Sequence, residues 1–475
     1  MKKLFAIFLT TIFFFALAGA QTEQKPQPPS DASAKPPVKE HKITPQETKE
    51  LFQSVDDILR FASERTLLPV KHPVKKAMVN RAAVEKYIDD KFQDDIERKR
   101  FERSELVLKK FGMLPRTFDL HTFLVKLLGE QVAGYYDEDT KTINLLDWVE
   151  LEMQRPVMAH ELTHALQDQS FDLGKLTKKN EAIEKRGPED PNALIKIDEE
   201  SGCRSAVMEG QAMIVFLDYV LAPAGHTVED SPKFVDLMLS QMDKSEDSPL
   251  LASAPLLIKE ELVFPYSRGM KFIATLLASG GKKLAYTGVL ERMPATSREI
   301  LEPQEYLAGH RVPPLLLPDV GFLKKDFDAF DAGAMGELDV SILLKQYANA
   351  KVAGRLSPEW RGGSYYAAGR KGAKPADPGS TGHIGLLYVS KWSSDKAAEE
   401  FAKVYASSLP QRYSKLERAP ATSPTRDKYT SSDGLIILEQ HGDLLVITES
   451  FDEPTADKLI AAAVKQTQQT TQGAN

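Results

Sequence analysis

The sequence predicts an α+β protein with a mainly helical core, a β-hairpin beside one helix of that core, and a smaller C-terminal α+β domain. The chain has 475 residues, of which 42% are hydrophobic and 27% charged, so it is long and apolar enough to form more than one globular domain. Apolar residues recur at helical spacing between residues 44 and 320, apart from one pair of strand-like runs. After residue 376 the chain alternates strand-like runs with helical patterns.

Charge and cysteine content exclude several function classes. The 61 Lys and Arg residues are outnumbered by 68 Asp and Glu residues, which gives a formal net charge of −7. Because nucleic-acid binding depends on an excess of positive charge, we expect no nucleic-acid partner. The one cysteine, Cys203, excludes an internal disulfide and any metal site that needs two thiolates from this chain.

Residues 1–20 have the features of a secretory signal peptide. Two lysines precede an apolar run, Leu4–Leu17, which is followed by the small residues Ala18–Ala20. The run is shorter than the roughly 20 residues that span a membrane. We therefore expect a mature chain that begins near Gln21, has no membrane span and is exported to the periplasm or the extracellular space. Residues 21–43 are rich in proline and are predicted to form a disordered linker.

The next region, residues 44–128, is predicted to be helical. Its first helix has a clear start signal, with Thr44 as N-cap, Pro45 at the first helical position and Glu47 at the third. Further helical patterns follow before residue 129. The position of this region between signal peptide and core allows two interpretations, a scaffold for the core or a prosegment that covers the cleft.

Residues 129–320 are predicted to form the core. Val132–Tyr136 and Thr142–Leu146 read as the strands of a β-hairpin, and a helix opened by Pro156 follows. Residues 321–375 are predicted to connect the core to a C-terminal α+β domain at 376–470. The elements expected in that domain are three strands at Ile384–Val389, Leu435–Leu438 and Leu444–Ile447, and two helices at Lys396–Leu409 and Ala456–Lys465.

The segment His160–His164 has the sequence HELTH and carries the strongest chemical signal. Residues four apart lie on one face of a helix, so His160 and His164 can bind one metal ion. Glu161 borders this face and can act as general base on a water molecule that zinc activates. Apolar residues on the opposite side of the helix predict that the histidines face a cleft. The alternatives are an ordinary surface helix and a structural zinc site.

A catalytic zinc site needs a third protein ligand, and Glu209 is the predicted one. It lies on an apolar stripe of a second predicted helix, where a carboxylate is unfavourable unless it is paired or bound to metal. Asp168, one turn after His164, is the competing ligand, or it holds the far ring nitrogen of a ligand histidine. Glu199 and Glu200 lie in a charged run and are expected to be solvated.

With these residues the sequence resembles the gluzincin group of zinc metallopeptidases, and residues 132–173 are similar to exported bacterial proteins of that type. Glu209–Ala212, Phe264–Tyr266 and Pro294–Ser297 add to the resemblance. It implies a zincin-like core whose hairpin strand pairs with an extended peptide substrate. It also implies a group that stabilises the oxyanion, for which Tyr266 is the first candidate. The other candidates are Arg268, Tyr286 and His310.

The sequence therefore predicts an exported zinc-dependent metallopeptidase. Its zinc ligands would be His160, His164 and Glu209, its catalytic residues Glu161 and Tyr266, and its substrate a peptide or protein. Two alternatives stay open: a secreted, non-catalytic binding protein on a peptidase-like scaffold, and a zinc amidase that acts on cell-wall peptides. Nothing in the sequence indicates the oligomeric state.

Overall fold

The protein has a mixed α+β fold with two separate β-sheets. A computed structural model describes residues 11–13, 42–92, 95–242, 249–373, 379–420 and 423–472. The predicted signal peptide, apart from Thr11–Phe13, and the predicted linker up to residue 41 lie outside the described residues.

Helices make up most of the described chain. The α-helices are α1 (Pro45–Thr66), α2 (Arg81–Phe92), α3 (Asp95–Lys110), α4 (Leu120–Gln131), α5 (Leu151–Phe171), α6 (Leu173–Glu184), α7 (Pro191–Leu221), α8 (Pro232–Met242), α9 (Pro249–Ser253), α10 (Leu256–Lys282), α11 (Val289–Glu291), α12 (Ser297–Leu301), α13 (Pro303–Ala308), α14 (Glu337–Tyr347), α15 (Ala350–Leu356), α16 (Asp395–Arg412) and α17 (Glu453–Gln472). A π-helix, Lys283–Gly288, continues α10. The short 3₁₀ helices are Gly187–Glu189, Ala222–Ala224, Gly321–Lys325 and Ser357–Glu359.

The strands form one small and one large sheet. The small sheet has the order β1-β3-β4-β2 and consists of β1 (Thr11–Phe13), β2 (Lys75–Val79), β3 (Val132–Asp137) and β4 (Thr142–Leu146). The large sheet has the order β5-β6-β7-β11-β10-β9-β8 and consists of β5 (Phe327–Ala334), β6 (Trp360–Arg370), β7 (Ile384–Trp392), β8 (Glu417–Arg418), β9 (Arg426–Ser431), β10 (Gly434–His441) and β11 (Leu444–Glu449).

The small sheet confirms the predicted hairpin and adds two strands, β1 and β2, that the sequence did not predict. β3 and β4 pair antiparallel, with Tyr136 opposite Ile143. β2 comes from the region 44–128 and pairs parallel with β4, with Lys75 opposite Thr142. Its sequence, KKAMV, lacks clear alternation of polar and apolar residues, which is the signal that identifies a strand. One strand of the N-terminal region is thus part of the sheet beside the predicted active-site helix.

The large sheet extends across the domain boundary that the sequence places at 376. β5 and β6 lie in the predicted connecting region 321–375, yet they pair antiparallel with each other and with β7. Successive residues of β7 alternate between the two faces, so that Leu386 and Tyr388 pack in one hydrophobic core and Leu387 and Val389 in another. Glycine and polar residues in β5 and β6 hide this alternation in the sequence.

Of two predicted helix starts, the one at Pro45 is confirmed and the one at Pro156 is not. Helix α1 begins as predicted, because the Thr44 hydroxyl accepts from the Glu47 N–H and the Glu47 carboxylate accepts from the Thr44 N–H. The predicted start of helix α5 at Pro156 is wrong. The helix begins at Leu151 and includes Pro156 near its start, where proline removes one backbone hydrogen bond of the helix, the one to the Glu152 carbonyl.

Helix α7 is the longest helix and runs through the interior. Within the described residues one helical stretch, Pro191–Ala224, is long and apolar enough to span a membrane. Of its most apolar segment of 18 residues, 78% is buried inside the fold. Its apolar residues are accounted for by contacts with α5, α10 and β5. This burial places the middle of α7, which includes Glu209, against the histidine-bearing helix α5.

Candidate metal centre

Three side chains from two helices converge on one point. His160 and His164 lie on successive turns of α5, and Glu209 reaches them from α7. The two imidazole Nε2 atoms are 3.0 Å apart. Oε2 of Glu209 is 3.1 Å from Nε2 of His160 and 3.5 Å from Nε2 of His164. The structure thus brings together the three residues that the sequence predicts as ligands.

The spacing of these atoms fits a metal ion. Two ligand atoms about 2.0–2.1 Å from one ion, at the tetrahedral angle, are about 3.3 Å apart, and the three measured distances lie close to this value. Oε1 of Glu209 and Oε1 of Glu161 are buried and have no hydrogen-bond partner within the described chain. Buried carboxylate oxygens without a partner are costly. The buried group can therefore bind a metal ion.

Helices α7 and α10 cross closely next to Glu209. Gly210, the next residue, meets Gly269 of α10 so closely that a Cβ on Gly210 would lie 2.3 Å from the Gly269 carbonyl oxygen. A Cβ on Gly269 would lie 2.0 Å from the Ala206 carbonyl oxygen. Neither position has room for a side chain, because both contacts are with backbone. The two glycines therefore allow α7 and α10 to pack closely beside the candidate metal centre.

The hairpin orients Glu161. Oε2 of Glu161 accepts a 2.8 Å hydrogen bond from the backbone N–H of Tyr136 in β3. This close approach depends on Gly134, because a Cβ there would lie 3.0 Å from Cγ1 of Val157 and 3.9 Å from Cγ of Glu161. The hydrogen bond leaves Oε1 of Glu161 available for other chemistry. The sequence predicts the hairpin beside this helix but not this backbone contact.

We call His160, His164 and Glu209 the metal group, because these are the three candidate ligands. Asp168, the competing candidate ligand, lies outside it. Its Oδ2 accepts from the Tyr136 hydroxyl at 2.8 Å and from Nζ of Lys141 at 2.6 Å. Its Oδ1 accepts from the backbone N–H of Leu173 at 3.1 Å. Asp168 thus fastens the hairpin and the start of α6 to helix α5.

Tyr266 lies beside the metal group. Its ring stacks on the ring of His160 at a centroid distance of 6.5 Å, and burial, aided by the charges of Glu209 and Glu161, raises the pKa of its hydroxyl. The other candidates for the oxyanion role lie elsewhere. Arg268 is two residues further along α10, on the other side of the helix. Tyr286 faces the charges of Asp218 and Glu229, and exposed His310 is 3.3 Å from Glu305.

Burial and mutual charge determine the protonation of the metal group. Burial lowers the pKa of His160 to about 4, although its hydrogen bond to Glu209 acts in the opposite direction. Burial alone would also lower the pKa of His164, but the negative charges of Glu209 and Glu161 and the hydrogen bonds to Glu209 and Gln167 together outweigh burial and raise this pKa to about 9. Burial raises the pKa of Glu161 to about 8, despite the opposing charge of His164.

Two expectations about exposure are wrong. His160, Glu161 and His164 are 0% exposed, so the metal face does not line an open cleft. The apolar pattern on the other face of α5 could not reveal that further helices enclose the polar face too. Glu199 is also buried, and its Oε2 accepts from the backbone N–H and the hydroxyl of Ser297. The resemblance segment Pro294–Ser297 is thereby tied to helix α7.

Sequence reasoning missed two buried glutamines behind the ligands. Oε1 of Gln167 is 2.8 Å from Nδ1 of His164, and Gln167 also contacts Gln211 of α7. The only signal for Gln167 was its position three residues after a candidate ligand, which places it on the same helix face. The signal for Gln211 was its place two residues after Glu209, which alone carries little information.

No family model, no curated protein and no solved structure matches the chain.

Proposed function

We propose that this protein is an exported zinc-dependent metallopeptidase of the gluzincin type, which hydrolyses peptide bonds. The observation that carries the proposal is the buried group of two imidazoles and one carboxylate at tetrahedral spacing, with the Glu161 carboxylate held next to it by the hairpin. The predicted signal peptide places the protein in the periplasm or outside the cell.

The donor set favours zinc over calcium and magnesium. Two histidines and a carboxylate are a donor set of catalytic zinc sites, which leave the fourth position for water or substrate, whereas calcium and magnesium sites are built from oxygen ligands. A zinc ion bound there would lower the pKa of a water molecule to about 7 and polarise a carbonyl group. The three ligand side chains would hold that ion at the end of the hairpin.

Glu161 and Tyr266 are placed to act on the substrate. Oε1 of Glu161 is not used by the fold within the described residues, so it can take a proton from the attacking water and pass it to the leaving amine. The hydrogen bond from Tyr136 holds Glu161 beside the metal group, so that it does not swing away. Tyr266, which stacks beside His160, is the candidate donor to the developing oxyanion.

The edge of β3 is a suitable site for an extended peptide. In the structure, Thr11–Phe13 pairs antiparallel with this edge, with Thr11 opposite Tyr135. These residues belong to the predicted signal peptide, so a mature chain that begins near Gln21 would lack them. The same edge would then be free to pair with a substrate strand, which would bring a peptide bond next to Glu161.

Burial of the metal group favours a second candidate function. Because His160, Glu161 and His164 are fully buried, substrate would have to displace part of the surroundings before reaching the metal. A secreted binding protein that retains a structural metal on a peptidase-like scaffold would not need such access. A zinc amidase that acts on cell-wall peptides would use the same chemistry as the peptidase.

Metal analysis combined with a peptide-library digest tests the proposal. The mature chain should contain about one zinc per chain. It should cleave library peptides, lose this activity after chelation and regain it when zinc is added back. Tightly bound zinc with no cleavage of any peptide would contradict the peptidase and favour the binding protein, while cleavage only of cell-wall peptides would favour the amidase.

Zinc binding should release protons at neutral pH. The pKa values of His164 and Glu161, about 9 and about 8, both lie above 7, so both groups hold protons in the metal-free chain. A bound dication requires neutral His164 and favours ionised Glu161, so up to about two protons should leave per zinc. Zinc affinity should therefore rise with pH up to about pH 9, the higher of the two pKa values.

Calorimetric titration with zinc, in buffers that differ in ionisation enthalpy, measures this release directly. The expected result is an observed enthalpy that changes with the buffer in proportion to the protons released. An enthalpy that is the same in all buffers at pH 7 would show that both groups already lack their protons, and would contradict the prediction.

Removal of residues up to 128 should prevent folding rather than activate the enzyme. The deletion removes β2 from the small sheet and exposes the surface of α5 that packs against α1. It also removes Lys110, whose Nζ donates to Ser450 beyond β11 at 2.9 Å. We expect a chain that starts near residue 129 to show no cooperative thermal unfolding, whereas one that starts at residue 42 should unfold like the mature chain. A folded and more active short form would instead support an inhibitory prosegment.

A further inference from the structure

A buried glutamine contacts Nδ1 of His164, the ring nitrogen that does not face Glu209. Nδ1 of His164 is 2.8 Å from Oε1 of Gln167, which lies three residues further along α5. Both side chains are fully buried. An amide oxygen can only accept a hydrogen bond, so if Gln167 points its oxygen at the ring, Nδ1 of His164 must carry the hydrogen.

The surroundings of Gln167 determine which way its amide points. Its nitrogen is 3.1 Å from the Met208 carbonyl oxygen and 2.9 Å from Oε1 of Gln211. A flipped amide would face two acceptors with its own oxygen and leave Nδ1 of His164 opposite an NH₂ group. The carbonyl of Met208 therefore favours the orientation in which Gln167 accepts from His164.

The orientation of Gln211 is determined in the same way, from the π-helix. Its nitrogen donates to the carbonyl oxygens of Ala285 and Tyr286, at 2.8 Å and 3.1 Å. Two backbone carbonyls can only accept, so the NH₂ group of Gln211 must face them and its oxygen must face Gln167. The π-helix Lys283–Gly288 thus sets the direction of the whole chain of hydrogen bonds, and π-helical segments are often found at functional sites.

The direction of this chain determines the tautomer of His164. In the neutral ring, which is the form that binds a metal ion, a hydrogen on Nδ1 leaves the lone pair on Nε2, the atom that faces His160 and Glu209. His160 lacks an equivalent support, because its Nδ1 has no hydrogen-bond partner among the described residues. Asp168 cannot provide the support for His164, because its oxygens bond to Tyr136, Lys141 and Leu173.

We propose that Gln167 is a positioning residue that holds His164 in its metal-binding tautomer, and that Gln211 and the π-helix hold Gln167 in turn. This inference rests on the proposed metal site and assigns a function to the two glutamines. It also explains why Gln211 closely follows the ligand Glu209 on α7: the two residues reach the same centre from one helix, one as ligand and the other through Gln167 and His164.

Zinc affinity of the purified mature chain, measured by competition with a chromophoric chelator, tests the proposal. Gln167→Met keeps the length of the side chain but removes the acceptor for Nδ1 of His164. We expect zinc binding to weaken about 10- to 100-fold, the usual cost of losing a partner of a metal-bound histidine. Gln167→Glu retains an acceptor oxygen, so it should bind zinc more tightly than Gln167→Met. The cobalt-substituted chain should show a changed visible absorption band in Gln167→Met only.

Gln154→Met is the matched control. Gln154 is fully buried on the same helix, and its nitrogen donates to two backbone carbonyls, those of Leu146 and Val149, at 2.9 Å and 2.8 Å. Its loss should lower the melting temperature as much as the loss of Gln167, while zinc affinity and the cobalt band stay unchanged. If Gln167→Met does not fold, Gln211→Met decides. It should bind zinc more weakly than the wild type and Gln154→Met, and an affinity equal to theirs would overturn the positioning role.

The outcomes separate this inference from the function on which it rests. Equal zinc affinity in the wild type, Gln167→Met and Gln211→Met would overturn the positioning role and leave the metal site intact. Equal weakening by Gln154→Met and Gln167→Met would also overturn it, because general destabilisation would then explain the loss. A wild-type chain that binds no metal would overturn the metal site itself.

Discussion

Replacement of Glu161 by glutamine is expected to abolish peptide hydrolysis and leave the metal in place. Glu161 is not one of the three converging ligands, and its Oε2 is bonded to the backbone of Tyr136. A glutamine oxygen can accept the same hydrogen bond, so the shape of the site should persist. What is lost is a carboxylate that can take a proton from water, and general base catalysis contributes about 10²- to 10⁴-fold to a rate.

The measurement is the kcat for a peptide identified in the library digest, together with the zinc content of the same preparation. Glu152→Gln is the matched control, because Glu152 is an exposed residue in the first turn of the same helix and should have no role in either quantity. A Glu161→Gln chain that keeps most of its activity would refute the role of Glu161 as general base. A chain that loses zinc would show instead that Glu161 is a ligand.

The second large effect is the loss of metal from Glu209→Gln. Glu209 provides the only carboxylate oxygen of the group, at 3.1 Å and 3.5 Å from the two imidazole nitrogens. Glutamine has the same size but no negative charge, and catalytic zinc sites of the His₂Glu type use a carboxylate as third ligand. We expect zinc affinity to fall by more than about 100-fold, since even the loss of a residue that only supports a ligand costs up to about that much.

Asp168→Asn tests the competing ligand under the same conditions. Asp168 accepts hydrogen bonds from Tyr136 and Lys141 in the hairpin, so its replacement should lower the melting temperature. It should not change the zinc content, because Asp168 lies outside the converging group. If Asp168→Asn loses zinc while Glu209→Gln retains it, the assignment of the third ligand made from both sequence and structure would be reversed.

Features of the candidate site that depend on short spacing could be predicted from the sequence. The four-residue spacing of His160 and His164 places both on one helix face wherever that helix lies in the fold. The hairpin at 132–146 and the capping box at Thr44 are also local, and the structure contains both. Glu209 could be proposed because a carboxylate on an apolar stripe needs a partner, which is an argument about one helix alone.

Features that depend on contacts between distant segments could not be predicted. The strand β2 lacks an alternating pattern, and only its pairing with β4 makes it a strand. The helix crossing at Gly210 and Gly269 depends on the absence of a side chain at two positions 59 residues apart, which no local pattern relates. The strands β5 and β6 were assigned to a connecting region for the same reason, because their pairing with β7 is long-range.

The sequence by itself determined which residues could form a metal site: two histidines on one helix face, a carboxylate beside them and a second carboxylate on another helix. These properties depend on residue type and on the regular period of the α-helix. The tertiary structure alone decided that the metal group is enclosed, that Asp168 bonds to the hairpin, and that Gln167 rather than Asp168 holds His164. These contacts are set by how helices and strands pack against each other, and a single sequence contains no periodic signal for packing between distant segments.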